Sequence, residues 1–593
     1  MAESIISPGV FTRENDISFI QPAPIAAGAA FLGPAVKGPY DQPTIVTSYS
    51  EYVRKFGDTF LSASKSYEFL TSIAVKNYFQ NGGQTALVTR IVSGGSAANI
   101  AAVNTFMSAS TGKGGQPFEL KTLGTGVLYN NATSSLAGLA GNITGYLNSD
   151  GSLISGSKEN VRWEIANVNS GSGTFTLVVR QGDDSTNNKV ILETFNANLD
   201  PNSPNYIERV VGNQTIVYDT NSNYNRVVGE YPNRSNYIRV SAVNYPTPNY
   251  LKTDGVSVNT DSSNISYSAS LPSVASGSFY NAAGDIKGGA TFFGNISATS
   301  KNIQGLVGTD YANAIKLLGN KDDFQFNIIS APGLINENGA SDAGAAATIG
   351  NMVALAEDRG DCIAVVDLVA TGSVVSTVAS ATAGFNSSYA ATYWPWVQVQ
   401  SATGKNEYVP AGTMIPGVYA FTDASSAPWF APAGLIRGGI GGVIQAEKKL
   451  TKGERDTLYA GKVNPIASFP GTGISVFGQK TLQTKASALD RVNVRRLLIE
   501  LKKFIGDQAR NLVFEQNTIA TRNRFLATVN PYLESVVQRQ GLYAYRVVMD
   551  DTNNTADIVD RNQLVGQIFI QPTKTIEFVV LDFTVEPTGA TFA

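Results

Sequence analysis

The sequence predicts a multi-domain α+β protein, with an α/β core, a C-terminal α+β domain, strand-like pieces at both chain ends and an inserted β-rich region. Three observations predict it. A chain of 593 residues, at roughly 100 to 200 residues per domain, exceeds a single core and implies three to five domains. Hydrophobic residues make up 43% and charged residues 15%, which is ample apolar surface to bury and too little charge for a disordered chain. Composition then shifts along the chain. There are 26 charged residues among the 205 from Ser96 to Ser300, against 25 among the 113 from Thr481 to Ala593, so the middle presents a different kind of surface. These shifts set apart the insertion at 96–300 and the C-terminal domain with its closing strand at 481–593, leaving a terminal strand-like piece at 1–19 and the core at 20–95 and 301–480.

Taken in order, Val10-Phe11-Thr12 follows Pro8-Gly9 and leads into a polar stretch before Phe19-Ile20, an isolated strand-like piece. The apolar stretches near Ile25 to Val36 and Ala431 to Ile444 are broken by Gly and Pro and fall short of a membrane span. The opening Met1-Ala2-Glu3-Ser4 lacks the basic and apolar regions of a signal peptide, so a protein made and kept in a cytoplasm is expected. The Ser-, Thr-, Asn- and Gly-rich middle carries short apolar runs between turn signals, at Phe175 to Val179, Val190 to Leu192 and Tyr237 to Val240. That spacing reads as strands and loops, with Asp200 to Tyr250 as exposed loop and hairpin surface. Phe326 to Ile329 then reads as a strand running into Ala331-Pro332-Gly333, Ala343 to Ala356 as a helix, and Ile363 to Val366 as a buried strand. Strand, helix and strand make a parallel crossover.

From Asp490 the periodicity is helical. Val494, Leu497, Leu498, Leu501, Phe504 and Ile505 step by three and four into one apolar stripe. At 100° per residue Arg491, Arg495 and Lys502 lie together beside it, and Arg496, Lys503 and Asp507 lie opposite. The basic ridge is either a solvated flank or a docking face for an acidic partner. Finally, Ile576 to Val585 has apolar side chains on both faces, among them Phe578, Val580, Leu581 and Phe583, as a strand covered on both sides would. The two terminal strands either pair within their own subunit or join subunits by adding to a neighbour's sheet edge.

Chemistry finds little support. The chain has no histidine, which removes the usual proton-transfer and nucleophile-activating designs, and one cysteine, Cys362, which excludes an intrachain disulfide and reads as a core residue. A net charge of -3 provides no basic field for nucleic acid or an anionic membrane. Gly438-Gly439-Ile440-Gly441-Gly442 and Gly471-Thr472-Gly473 complete no nucleotide-binding fingerprint. The acidic group Asp550, Asp551, Asp557 and Asp560 reads as a polar turn, because a calcium loop from Asp551 would meet Ala556 and Asn562 where Gly and Glu are required. Trp394-Pro395-Trp396 and Trp429-Phe430 either line a sugar groove or pack a domain junction. No catalytic residue, cofactor site or metal site is expected, and the chain does not read as an enzyme.

Several of these segments carry a resemblance. Asp490-Arg491-Val492-Asn493-Val494-Arg495-Arg496-Leu497 resembles the signature helix of contractile tail sheath proteins, and most resembles the sheaths of T4-like myoviruses. Ser7 to Val10, Gly28 to Pro34, Lys37-Gly38-Pro39, Tyr393 to Trp396, Pro416 to Ala420, Ala431 to Gly434, Gly478 to Leu482, Asp551 to Thr555, Ile558 to Asn562 and Gln571-Pro572 are similar to the same family in the same order. The likeness covers about residues 1 to 95 and 320 to 593. It implies a structural subunit that stacks as hexameric rings around a tail tube and meets baseplate and tail terminator or neck proteins. It implies a virion location, with assembly in the host cytoplasm and without direct nucleic-acid contact, membrane insertion or a cofactor. Val10, Phe11 and Thr12, with Ile576, Phe578, Val580, Leu581 and Phe583, then become the strands that link subunits. Arg491, Arg495 and Lys502 become candidates for facing the tube. A different class, a carbohydrate-binding tail or surface adhesin, is left open by the β-rich middle and the tryptophans.

Overall fold

The computed structural model describes residues 27–92, 102–104, 117–124, 148–279, 304–336 and 344–577, apart from 63–64, 154–155, 220–223, 261–266, 305, 307, 470 and 472. Its centre is an eight-stranded sheet in the order Thr44–Val46, Ala86–Arg90, Ala27–Gly33, Phe326–Ile335, Ile363–Asp367, Ala390–Trp394, Asn464–Phe469 and Gly473–Val476. The six inner strands run parallel and the two edge strands antiparallel. Ala27–Gly33 pairs directly with Phe326–Ile335, so the sheet is built from both sides of the insertion.

Alternation explains why these runs are apolar throughout. In Ala27–Gly33, Ala30 and Leu32 join the cluster containing Ile329, Ala364, Val366, Ile349 and Met352. Ala29 and Phe31 join the opposite cluster, with Ile328, Val365, Ile73 and Tyr419. Successive side chains point to opposite faces, and here both faces are covered by helices such as Ala345–Arg359 and Leu70–Gln80. The strand read as running into Ala331-Pro332-Gly333 continues through them to Ile335. It does so through a register shift between Ser330 and Ile335, with Gly333 at φ +89°, where a Cβ would lie 2.5 Å from Gln304 Nε2. Cys362 is fully buried beside this sheet, and burial pushes its thiol up to about 12.

Within 96–300 the described residues form a four-stranded antiparallel sheet, Ile191–Asn198, Thr174–Gln181, Val161–Asn169 and Ala275–Ser278, and a three-stranded sheet containing Phe118–Thr122 and Ile238–Val243. They share a cluster around Phe118, Trp163, Phe175 and Phe279. Lys37 meets Glu159 at 2.5 Å and Lys158 meets Asp58 at 3.4 Å, tying this region to the core. The Asp200 to Tyr250 stretch holds the hairpin Thr215–Asp219 and Tyr224–Val228, with Val217 and Val227 exposed, and also a short helix, Ile207–Val211, whose Ile207 and Val211 are buried.

The C-terminal part packs two helices, Val492–Arg510 and Ile519–Gln538, on a two-stranded antiparallel sheet, Leu542–Val548 and Gln567–Pro572. Leu497, Leu501, Phe525, Val529, Leu533 and Val536 form its core.

Candidate functional site

In an open parallel sheet the carboxyl ends of the strands are where ligands bind. Here that position is filled. Asp367, at the end of Ile363–Asp367, accepts from the Gly412 N–H at 2.9 Å, and burial pushes its carboxyl up to about 7. The cavity beside it, lined by Thr392, Trp394 and Trp396, is about 10 Å³, which is room for a single water. Among the described residues no group of three or more Cys, Asp or Glu is placed to hold a metal ion. The acidic turn is closed by its own hydrogen bonds. Asp550 accepts from the Thr552 N–H at 2.9 Å, and the buried Asn554 amide donates to the carbonyls of Asp550 and Val565.

All four tryptophans are interior. Trp163, Trp394, Trp396 and Trp429 are 0, 2, 4 and 5% exposed. Trp429 packs against Leu497 and Phe525 of the C-terminal core and donates its indole N–H to the Arg539 carbonyl at 3.0 Å. It therefore joins two domains, which is the junction reading of the Trp-Phe pair, and no aromatic platform from these residues faces solvent.

The helix Val492–Arg510 is embedded more deeply than one apolar stripe requires. Leu497 and Leu501 face the C-terminal core, while Val492 and Ile499, seven positions apart, face the core-domain cluster on the other side. The expected basic ridge is divided by this packing. Arg495 is 4% exposed, with its guanidinium 3.9 Å over the Tyr389 ring. Arg491 is half-buried and forms an ion pair with Glu577 at 2.6 Å. Only Lys502 of the three is exposed, its Nζ 3.2 Å from the Tyr389 hydroxyl. Arg496, expected on the outer face, is instead buried, because the core domain covers that face. It donates to Asp423 at 2.7 Å and lies 4.6 Å over the Tyr419 ring.

The small C-terminal sheet has a different character from the central one. Ile568 and Ile570 pack toward the helices but remain half-buried, whereas Phe569 between them is 56% exposed and Tyr543 on the paired strand 65%. Among the described residues this sheet has two strands, so each strand has one outer edge. Two strands are marginal alone, and free edges are templates for further strands. The residues expected to supply them, Val10, Phe11, Thr12, Phe578, Val580, Leu581 and Phe583, lie outside the described residues. Of the closing strand only Ile576 and Glu577 are described. They lie in irregular chain, and Ile576 is 84% exposed.

Glu577 is the residue that the sequence reading passed over. Its carboxylate receives Arg491 Nε at 2.6 Å, Arg491 Nη2 at 3.0 Å, the Tyr459 hydroxyl at 2.9 Å and Gln479 Nε2 at 3.1 Å. Burial raises its pKa, but these donors outweigh burial and hold the carboxyl below its ordinary value. The available signal was an acid, Glu577, set at the start of a mostly apolar run that holds one other, Asp582.

Residues 304–482 match the family model for the phage tail sheath protein central domain, and residues 484–586 match that for the phage tail sheath C-terminal domain. The chain is similar to the tail sheath protein of Vibrio phage KVP40, 41% identical over 196 residues that cover 33% of this chain and 29% of that protein. It is also similar to the tail sheath protein of Enterobacteria phage T4, 40% identical over 187 residues covering 32% and 28% respectively. These matched stretches span under a third of the relatives' own length. A sheath tail protein from Listeria innocua shares the fold, with a TM-score of 0.50 over 92% of this chain and 95% of that one, at 11% identity.

Proposed function

We infer that this chain, whose second half carries the central and C-terminal domains of the phage tail sheath family, is a structural subunit of a contractile tail. It polymerises as stacked rings, hexameric in the family's pattern, around a tail tube, engages baseplate and neck proteins at the ends of the stack, and resides in the virion. The observation that carries this reading is the two-stranded C-terminal sheet with an exposed outer face, beside the segment where the C-terminal arm begins. Arms from neighbouring subunits complete that sheet, so the lattice shortens without coming apart.

The mechanism consumes no nucleotide. If contraction buries even ~200 Å² more apolar surface per subunit, at ~25 cal/mol/Å² the gain is about 5 kcal/mol each. The extended sheath is then a kinetic trap, released from the baseplate end. Negative-stain microscopy of the purified chain tests the assignment. Helical tubes are expected, and dispersed trimers or monomers at every concentration tried would reject it. The adhesin alternative loses its tryptophan platform, since all four tryptophans are buried.

Contact with the tube rests on the exposed flank of the Val492–Arg510 helix at its middle, with Lys502 facing an acidic tube surface and Arg491 and Arg495 holding the helix in place. Lys502→Glu is expected to weaken sheath-on-tube assembly by roughly fivefold, more at low salt than at high. Co-sedimentation with tubes that did not change with this charge reversal would remove Lys502 from the contact.

A further inference from the structure

The chain leaving Gln567–Pro572 crosses back over the core domain before the arm begins, and it does so with a two-residue alternation. Thr573, Thr575 and Glu577 turn inward, while Lys574 and Ile576 are exposed. Thr573 Oγ1 donates to the Gln540 carbonyl at 2.7 Å, Thr575 Oγ1 accepts from Gln479 Nε2, and Glu577 accepts from Arg491, Tyr459 and Gln479. These donors come from three places. Tyr459 ends the helix Lys452–Ala460, Gln479 follows the edge strand Gly473–Val476, and Arg491 is the N-cap of the helix Val492–Arg510. The cage is itself braced. Arg491 pairs with Asp490 at 2.9 Å, and Lys480 lies 4.3 Å over the Tyr459 ring while donating to the Tyr459 carbonyl at 2.8 Å. A surface ion pair holding an exposed tail is worth little, but a carboxylate that accepts a bidentate guanidinium and two further donors at a half-buried site fixes position as well as energy.

We propose that Glu577 is the root anchor of the C-terminal arm: caged by Arg491, Tyr459 and Gln479, it fixes the point and direction in which the arm leaves the subunit, and so the alignment in which the arm reaches a neighbouring copy. The proposal rests on the sheath reading for its consequence but not for its geometry. A flexible root lets the arm sample many orientations and raises the entropic cost of pairing; a fixed root pre-aligns it.

Lys574 supplies the test, because it is exposed and the nineteen residues after it contain no Lys or Arg. Trypsin cutting there releases one defined peptide, 575–593. In the unassembled full-length chain, Glu577→Gln is expected to accelerate that cut about tenfold, with cleavage elsewhere unchanged, and Tyr459→Phe about threefold. The reciprocal pair Glu577→Arg with Arg491→Glu is expected to restore protection, which a general loss of packing would not allow. Tubes of Glu577→Gln are expected to be short or irregular. Cutting at the wild-type rate in Glu577→Gln overturns the anchor, and so do wild-type tubes from a variant whose arm root is freed. Failure of the unmodified chain to form tubes counts against the sheath reading instead and leaves the proteolysis result standing.

Discussion

Deleting the residues before Ser18, or those after Thr573, is expected to leave a folded chain that no longer forms tubes. The described strands of the central sheet and of the inserted region, and the C-terminal helices, lie outside both deletions. On the proposed reading each deletion removes a strand for the C-terminal sheet, and the second also removes Glu577 from its pairing with Arg491. That sheet is under-covered in a measurable way. Ile329 and Ala364 of the central sheet are completely buried, whereas Ile568 and Ile570 of the small sheet are half-buried and Phe569 faces solvent. Adding a strand of about five residues contributes several backbone hydrogen bonds, each net about 1 kcal/mol, together with burial of residues such as Phe569 and Tyr543. Losing about 3 to 5 kcal/mol per junction weakens association by roughly two to four orders of magnitude. Light scattering therefore reports monomers from either truncated chain at concentrations where the full chain gives tubes, while circular dichroism is unchanged. Tubes of ordinary length from either truncation would remove strand exchange from the mechanism.

The parts of this fold that were legible in the sequence are those set by local periodicity. Phe326 to Ile329 and Ile363 to Val366 are apolar at every position because both faces of a parallel sheet are covered, and that is visible in four letters. The helix beginning at Val492 was legible from its stripe of threes and fours. Its far face was not. Arg496 looks like a solvent-facing residue until Asp423, Tyr419 and the core helix Ile415–Ser425 are placed over it, and those lie about seventy positions earlier. A trace remained in Val492 and Ile499, an apolar pair seven residues apart on the face assigned to water. Arg491 shows the same limit. Its partner Glu577 is 86 positions away, so its charge could be read but its employment could not. Lys502, in the middle of the same helix, is the one residue of the ridge left with the exposure that the pattern suggested.

The Arg496–Asp423 pair carries the second large expected effect, because it joins the C-terminal helix to the core domain through a buried charge. Arg496 is 4% exposed, and both Asp423 oxygens accept from its Nη2, at 2.7 and 2.5 Å. Beneath it the Tyr419 and Tyr393 hydroxyls meet at 2.6 Å. Burial disfavours the charged guanidinium, but Asp423 outweighs burial and raises its pKa, so the charge is held inside rather than shed. Removing one partner of a buried pair costs more than the pair contributes, since the other is left uncompensated. The two partners are not equally buried, because the Asp423 side chain keeps 26% of its exposure. An orphaned Asp423 is therefore partly rehydrated, whereas an orphaned Arg496 is not. Asp423→Ala is expected to destabilise the joint by about 3 kcal/mol, Arg496→Met by about 2, and the double variant by clearly less than the sum. Denaturant titration of the full chain, followed by circular dichroism, measures all three. Strict additivity, or a smaller loss for Asp423→Ala than for Arg496→Met, would mean that the pair does not carry the joint. A subunit that passes a lattice shift from its arms to its outer domains as a nearly rigid body needs its stiffest contact at this interface, and a buried ion pair resists sliding better than an apolar face of equal area because displacement leaves a charge unpaired.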